Sequence, residues 1–84
     1  MHIRDITPMD ALRLPTRIVM TGREELLLEG HAGLFSYETG CIRVRTGAGL
    51  LQVTGRDLTI DYFGTQDLLI RGRLDGAEYS GDEG

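Results

Sequence analysis

Hydrolysis or group transfer by side chains needs a nucleophile, a base and a group that orients the base, and the sequence offers few candidates for any of them. His31 is the only histidine besides His2, Ser36 falls inside an alternating segment, Ser80 lies near the C-terminus, and Cys41 is the sole cysteine. There is no Gly-x-Ser-x-Gly elbow. His31 stands between Gly30 and Gly33, where the expected role is that of a turn histidine satisfied by backbone groups. One cysteine and two histidines are too few ligands to close a zinc site within one chain, so neither a metal nor another cofactor is expected. Asp57 and Asp61 lie four residues apart on one strand face with Thr59 between them. That spacing imitates paired carboxylates for acid and base work, and fits a solvated polar face better. Gly47-Ala48-Gly49 begins like a phosphate-cradling loop, but it leads into an alternating strand and lacks the Lys and Ser or Thr that such a loop needs. It reads as a hairpin turn. Arg43 and Arg45 project from one strand face and could hold an anionic patch, while Glu29, Asp57 and Asp61 are equally placed to pair with them across a sheet. The set as a whole points away from an enzyme.

The elements that carry these residues are short. Thr7-Pro8-Met9-Asp10 combines an N-cap hydroxyl, a proline at the first helical position and a carboxylate three residues after the cap, which predicts a helix over 8–13 that Pro15 ends. No proline follows Pro15, and eleven of the twelve glycines lie between residues 30 and 84, which punctuates strands rather than long helices. About seven strands are expected: Arg17 to Thr21, Glu25 to Glu29, Gly33 to Glu38, Cys41 to Thr46, Leu51 to Thr54, Asp57 to Phe63 and Asp67 to Leu74. Glu24 to Glu29 also fits a helical turn. Period-two alternation sets Ile42 and Val44 against Arg43 and Arg45, Leu51 and Val53 against Gln52 and Thr54, and Leu58, Ile60 and Tyr62 against Asp57, Thr59 and Asp61. A weak repeat joins Leu26 to Gly30, Leu50 to Gly55 and Leu68 to Gly72, each followed by Tyr seven residues after the glycine. The expected fold is all-β: a small Gly-punctuated antiparallel β-meander or β-roll over 16–80, preceded by the N-terminal segment 1–15 with its helix and followed by an acidic tail over 81–84.

Several strands are apolar on both faces: Leu26, Leu27 and Leu28; Leu34, Phe35 and Tyr37; Leu68, Leu69 and Ile70. An antiparallel sheet with one wet face does not need this, so the second face is expected to be covered, by a second layer or by another molecule. Leu27 and Leu69 are the candidate contact residues there. A domain of 84 residues also buries only about 60% of its unfolded surface, which favours a homo-oligomer or polymer. Residues 1–74 hold nine Arg against nine acids, and 75–84 add four acids and no base, so a nucleic-acid partner is not expected. A lone cysteine suits an intracellular home. No run approaches the roughly 20 apolar residues that cross a bilayer, so a membrane role would pass through a partner.

From Leu14-Pro15 to Tyr79 the chain resembles the YabP/YqfC family of sporulation proteins. The residues that carry the resemblance are Glu29-Gly30-His31-Ala32-Gly33-Leu34 with Tyr37, Ile42-Arg43 with Thr46, Gly49 with Leu51, Val53 and Gly55, Leu58 with Ile60, and Leu68-Leu69-Ile70-Arg71-Gly72. The family usually has Asn at the position of Gly30 and Glu at that of Asp67. The resemblance implies a mother-cell protein of forespore maturation or coat assembly that acts beside a sporulation membrane protein and has no enzymatic activity. A small β-barrel that binds RNA or a peptide is the alternative, because a short helix followed by strands is also that order of elements.

Overall fold

The computed structural model describes residues 15–80, so the helix expected over 8–13 and the tail over 81–84 lie outside it. Six strands follow one another: β1 (Arg17–Thr21), β2 (Glu25–Glu29), β3 (His31–Glu38), β4 (Cys41–Thr46), β5 (Gly49–Phe63) and β6 (Asp67–Tyr79). They form one sheet in the order β1-β2-β6-β5-β4-β3, and every neighbouring pair is antiparallel. The all-β expectation holds. The strand count is six rather than about seven because Leu51 to Thr54 and Asp57 to Phe63 are two halves of β5, which bends at Gly55 without ending there. Since β6 lies between β2 and β5, the arrangement is a roll and not a meander in chain order.

Alternation decides each strand's faces. In β2, Leu26 and Leu28 are buried while Glu25, Leu27 and Glu29 are half-buried, a period of two that excludes the helical turn. In β4, Ile42 and Val44 point into the core and Arg43 and Arg45 away from it. The backbone of the domain is the long hairpin β5–β6. Near its tip, β6 carries β2 and then β1; in the other half, β5 carries β4 and then β3. Between the two halves the ladder slips, with register shifts between Thr54 and Gly55 and between Arg56 and Thr59.

That slip needs glycine. A Cβ at position 55 would overlap the carbonyl oxygen of Arg73, and one at position 72 would stand 2.6 Å from the carbonyl oxygen of Asp57. Gly72 also has φ +141°, which L side chains rarely adopt, and Asp57 has φ 52°, where Asp is tolerated better than most residues. Amides displaced from the ladder find carbonyls in two turns. Gly55 N–H donates to Gly40 O (3.1 Å) and Leu58 N–H to Thr39 O (2.9 Å), both in the β3–β4 turn. On the β6 side, Gly72 N–H donates to Glu24 O (3.2 Å) and Leu74 N–H to Arg23 O (2.8 Å), from the β1–β2 turn. These four amides are therefore paired although the ladder slips.

Folding the two halves toward each other encloses one core. Leu26, Leu28, Ile42, Val44, Leu51, Val53, Leu58, Leu68, Ile70 and Leu74 are each at most 1% exposed and form a single cluster, with Ile18, Leu34, Ile60 and Ala77 packed against it. Each fully buried aliphatic chain contributes about 1.5–3 kcal/mol. Tyr62 does not join Leu58 and Ile60 on the core side. A bulge between Ile60 and Tyr62 sets Tyr62 opposite Leu69 on the outer face, where it is 56% exposed.

Two substitutions test this architecture. Val53→Asp puts a carboxylate where nothing is solvated and is expected to unfold a domain whose total stability is about 5–15 kcal/mol, read as loss of the β signal in circular dichroism. Gly55→Ala is expected to cost about 1–3 kcal/mol in denaturant titration, as overpacking does. Gly76→Ala, with open space around its Cβ, is expected to stay within about 0.5 kcal/mol of the parent.

Candidate functional site

The register of the sheet gathers half-buried and exposed apolar residues of the tip half into one row. Val19 faces Leu27, Leu27 faces Leu69, and Leu69 faces Tyr62, so four strands each present one apolar side chain to the outside. Val19 is 37% exposed. Ion pairs frame the row. Arg17 Nη1 is 3.7 Å from Glu29 Oε1 on one flank, and Arg71 reaches Glu25 Oε1 at 3.9 Å and Asp61 Oδ2 at 3.4 Å on the other. Exposed pairs of this kind contribute about 0.2–1 kcal/mol each, so they border the row more than they stabilise it. No described residue covers it as a second layer.

The outer face of the other half carries a polar row. Ser36, Arg43, Gln52 and Glu78 face one another in turn across β3, β4, β5 and β6. Arg43 Nε donates to Gln52 Oε1 at 3.0 Å, and the Arg45 guanidinium lies 4.9 Å from the centre of the Phe35 ring, a cation–π contact worth about 0.5–1 kcal/mol at an exposed site. Glu29 and Asp61 have other guanidinium partners, Arg17 and Arg71. Sheet order and register are the reason: Glu29 is on β2, which does not neighbour β4, and Asp61 lies in the other half of β5, beyond the residues 49–54 that pair with β4.

His31 occupies a third place, where the chain passes from β2 to β3. It is 7% exposed. Gly33 N–H donates to its Nδ1 at 2.9 Å, which fixes the proton on Nε2, and Nε2–H donates to Gly64 O at 2.9 Å. Its ring stacks on Phe63 with centroids 5.1 Å apart and planes 20° apart. Both nitrogens are thus committed to backbone groups, and the imidazole has no free lone pair for proton transfer or metal ligation. It acts as a latch between the start of β3 and the tip of the β5–β6 hairpin, beside a hollow of about 380 Å³. Among the described residues no group of three or more His, Cys, Asp or Glu could hold a metal ion.

The six residues singled out from sequence therefore separate. Leu27 and Leu69 are direct partners on the apolar row, Glu29 lies on its border, Arg43 and Arg45 belong to the outer face of the other half, and His31 is internal. Val19 and Tyr62 were missed. Val19 sits in Ile18-Val19-Met20, which carries the same unbroken apolar signal as Leu26 to Leu28; Tyr62 gives no signal, because a bulge alone brings it to this face.

The model of the YabP family matches residues 13–84. Over 75 residues the chain is 28% identical to the uncharacterized protein YqfC of Bacillus subtilis (strain 168), an alignment that spans 89% of this chain and 80% of that protein.

The latch makes its own prediction. His31→Ala leaves Gly64 O and Gly33 N–H without their partner, and should lower stability by about 1–3 kcal/mol, measured as the shift of the urea midpoint at constant slope.

Proposed function

The chain belongs to the YabP family, and from that premise we propose that it is a non-enzymatic assembly or scaffold factor of sporulation that self-associates through its β-sheet surfaces. It acts in the mother cell during forespore maturation or coat formation. The observation that carries the reading is the row Val19, Leu27, Leu69 and Tyr62, an apolar strip four strands wide on a domain too small to leave such a surface idle. In this reading, contact with the forespore membrane runs through a sporulation membrane protein; no described helix is long and apolar enough to cross a membrane. The committed nitrogens of His31 support the non-enzymatic part of the reading.

The alternative, a small binding module for RNA or a peptide, draws on the exposed rings of Tyr37, Tyr62 and Tyr79. Described residues carry seven Arg and nine carboxylates, and three ion pairs already engage Arg17 and Arg71. That is not the basic groove RNA requires, so the peptide form is the stronger version of this alternative.

Light scattering across a concentration series is the test. The purified chain is expected to exceed the 9.3 kDa of a monomer, with a mass that rises with concentration. Leu27→Asp and Leu69→Asp should keep the β spectrum, since both side chains reach solvent, and weaken association at least a hundredfold, about 2.7 kcal/mol. A parent protein that stays monomeric at every concentration overturns the reading.

A further inference from the structure

The sheet ends in two edge strands, β1 and β3, and they are built differently. β3 is irregular twice, between His31 and Gly33 and between Leu34 and Ser36, and the Arg45 guanidinium lies across its Phe35. Bulges break the even row of N–H and C=O groups that an incoming strand would read, and are a common guard against edge pairing. β1 has no such guard. It pairs with β2 at five successive residues without a shift, contains no proline and a single charge, Arg17, and is exposed at four of its five positions. Among the described residues no strand lies on its other side. A straight, unguarded edge accepts an extended chain by strand addition.

The sequence of β1 identifies that chain as another β1. Consider a second copy related by a two-fold axis through Val19, perpendicular to the sheet. Val19 then faces Val19 of the second copy, Ile18 faces its Met20, and Arg17 faces its Thr21. Faces agree throughout, because Ile18 and Met20 stand opposite the buried Leu28 and Leu26 and so both lie on the core side. The one charge meets a hydroxyl, and no like charges oppose each other. Pairing would cover Val19 and Met20, which are 37% and 43% exposed. It would also join the two outer rows into one of eight side chains, Tyr62-Leu69-Leu27-Val19 followed by the same four in reverse.

We infer that the chain pairs with a second copy of itself, β1 against β1 in antiparallel register about Val19, so that one sheet runs through both copies. This rests on the self-association proposed above and adds to the contact made through the row a second one at the β1 edge.

Disulfide trapping reads the register directly. Residues that face each other in an antiparallel pair have Cα atoms about 4.5–5.5 Å apart, within the range a disulfide spans. In the full chain carrying Cys41→Ser, Val19→Cys is expected to form a disulfide-linked dimer under mild oxidant. Thr21→Cys alone should not, since the two copies of residue 21 would lie four residues apart along the ladder, about 13 Å. An equimolar mixture of Arg17→Cys and Thr21→Cys should cross-link to each other at least tenfold more than either does to itself. Equal cross-linking of Val19→Cys and Thr21→Cys overturns the register. If, at dilutions where light scattering gives a monomer, a maleimide cannot reach the thiol of reduced Val19→Cys, the inference is overturned as well, because the edge is then covered within the chain. Association by light scattering without trapping at position 19 overturns this inference and leaves self-association standing; a monomer in both measurements overturns the two together.

Discussion

The fold depends on how closely β5 and β6 approach each other at their bend. Position 55 has room for a hydrogen and nothing more, because the carbonyl of Arg73 lies against it. That contact is what lets a hairpin of two long strands turn through the middle rather than run straight. Once it turns, the strands attached to its two halves face each other and ten aliphatic side chains leave solvent together. The turns between β1 and β2 and between β3 and β4 are drawn in as well, since their carbonyls satisfy the amides that the bend removes from the ladder. The core, the bend and the two turns form one cooperative unit, with no part of the core belonging to only one half.

The two outer surfaces then diverge in character although they are made from the same strands. Over the tip half, the register brings Val19, Leu27, Leu69 and Tyr62 into line; over the other half it brings Ser36, Arg43, Gln52 and Glu78 into line. A polar row, in which Arg43 hydrogen-bonds Gln52, is content in water. An apolar row bordered by ion pairs is a surface with a rim, the form that protein contacts commonly take. The asymmetry is what turns an expectation of a covered second face into a specific strip on one half of the sheet.

Much of this was legible in sequence because alternation is a local property. Leu26 and Leu28, Ile42 and Val44, and Leu51 and Val53 could be assigned to the core side from their neighbours alone, and the three glycine-terminated segments noticed as a repeat end at Gly30, Gly55 and Gly72, the points where the chain crosses between halves. Tyr62 could not be placed, since the bulge beside it is imposed by the partner strand. The partners of Arg43 and Arg45 could not be placed either, because they depend on strand order, and strand order is set by contacts distant in sequence. The same limit hid the role of Val19: its apolar run was visible, but its membership of a row required knowing that β2 pairs with β6.

That pairing of β2 with β6 also governs the order of events in folding. Leu26 meets Ile70 across the ladder, so a strand formed early in the chain must wait for the last one. β1 and β2 can close as a local hairpin while the remainder is still being synthesised, but Leu26 and Leu28 stay in water until β6 arrives between β2 and β5. Closing so long a loop slows folding relative to a meander of the same size, and for that interval the nascent chain displays apolar side chains on both faces of one hairpin. The step that completes the sheet is therefore also the step most exposed to misassembly between newly made chains.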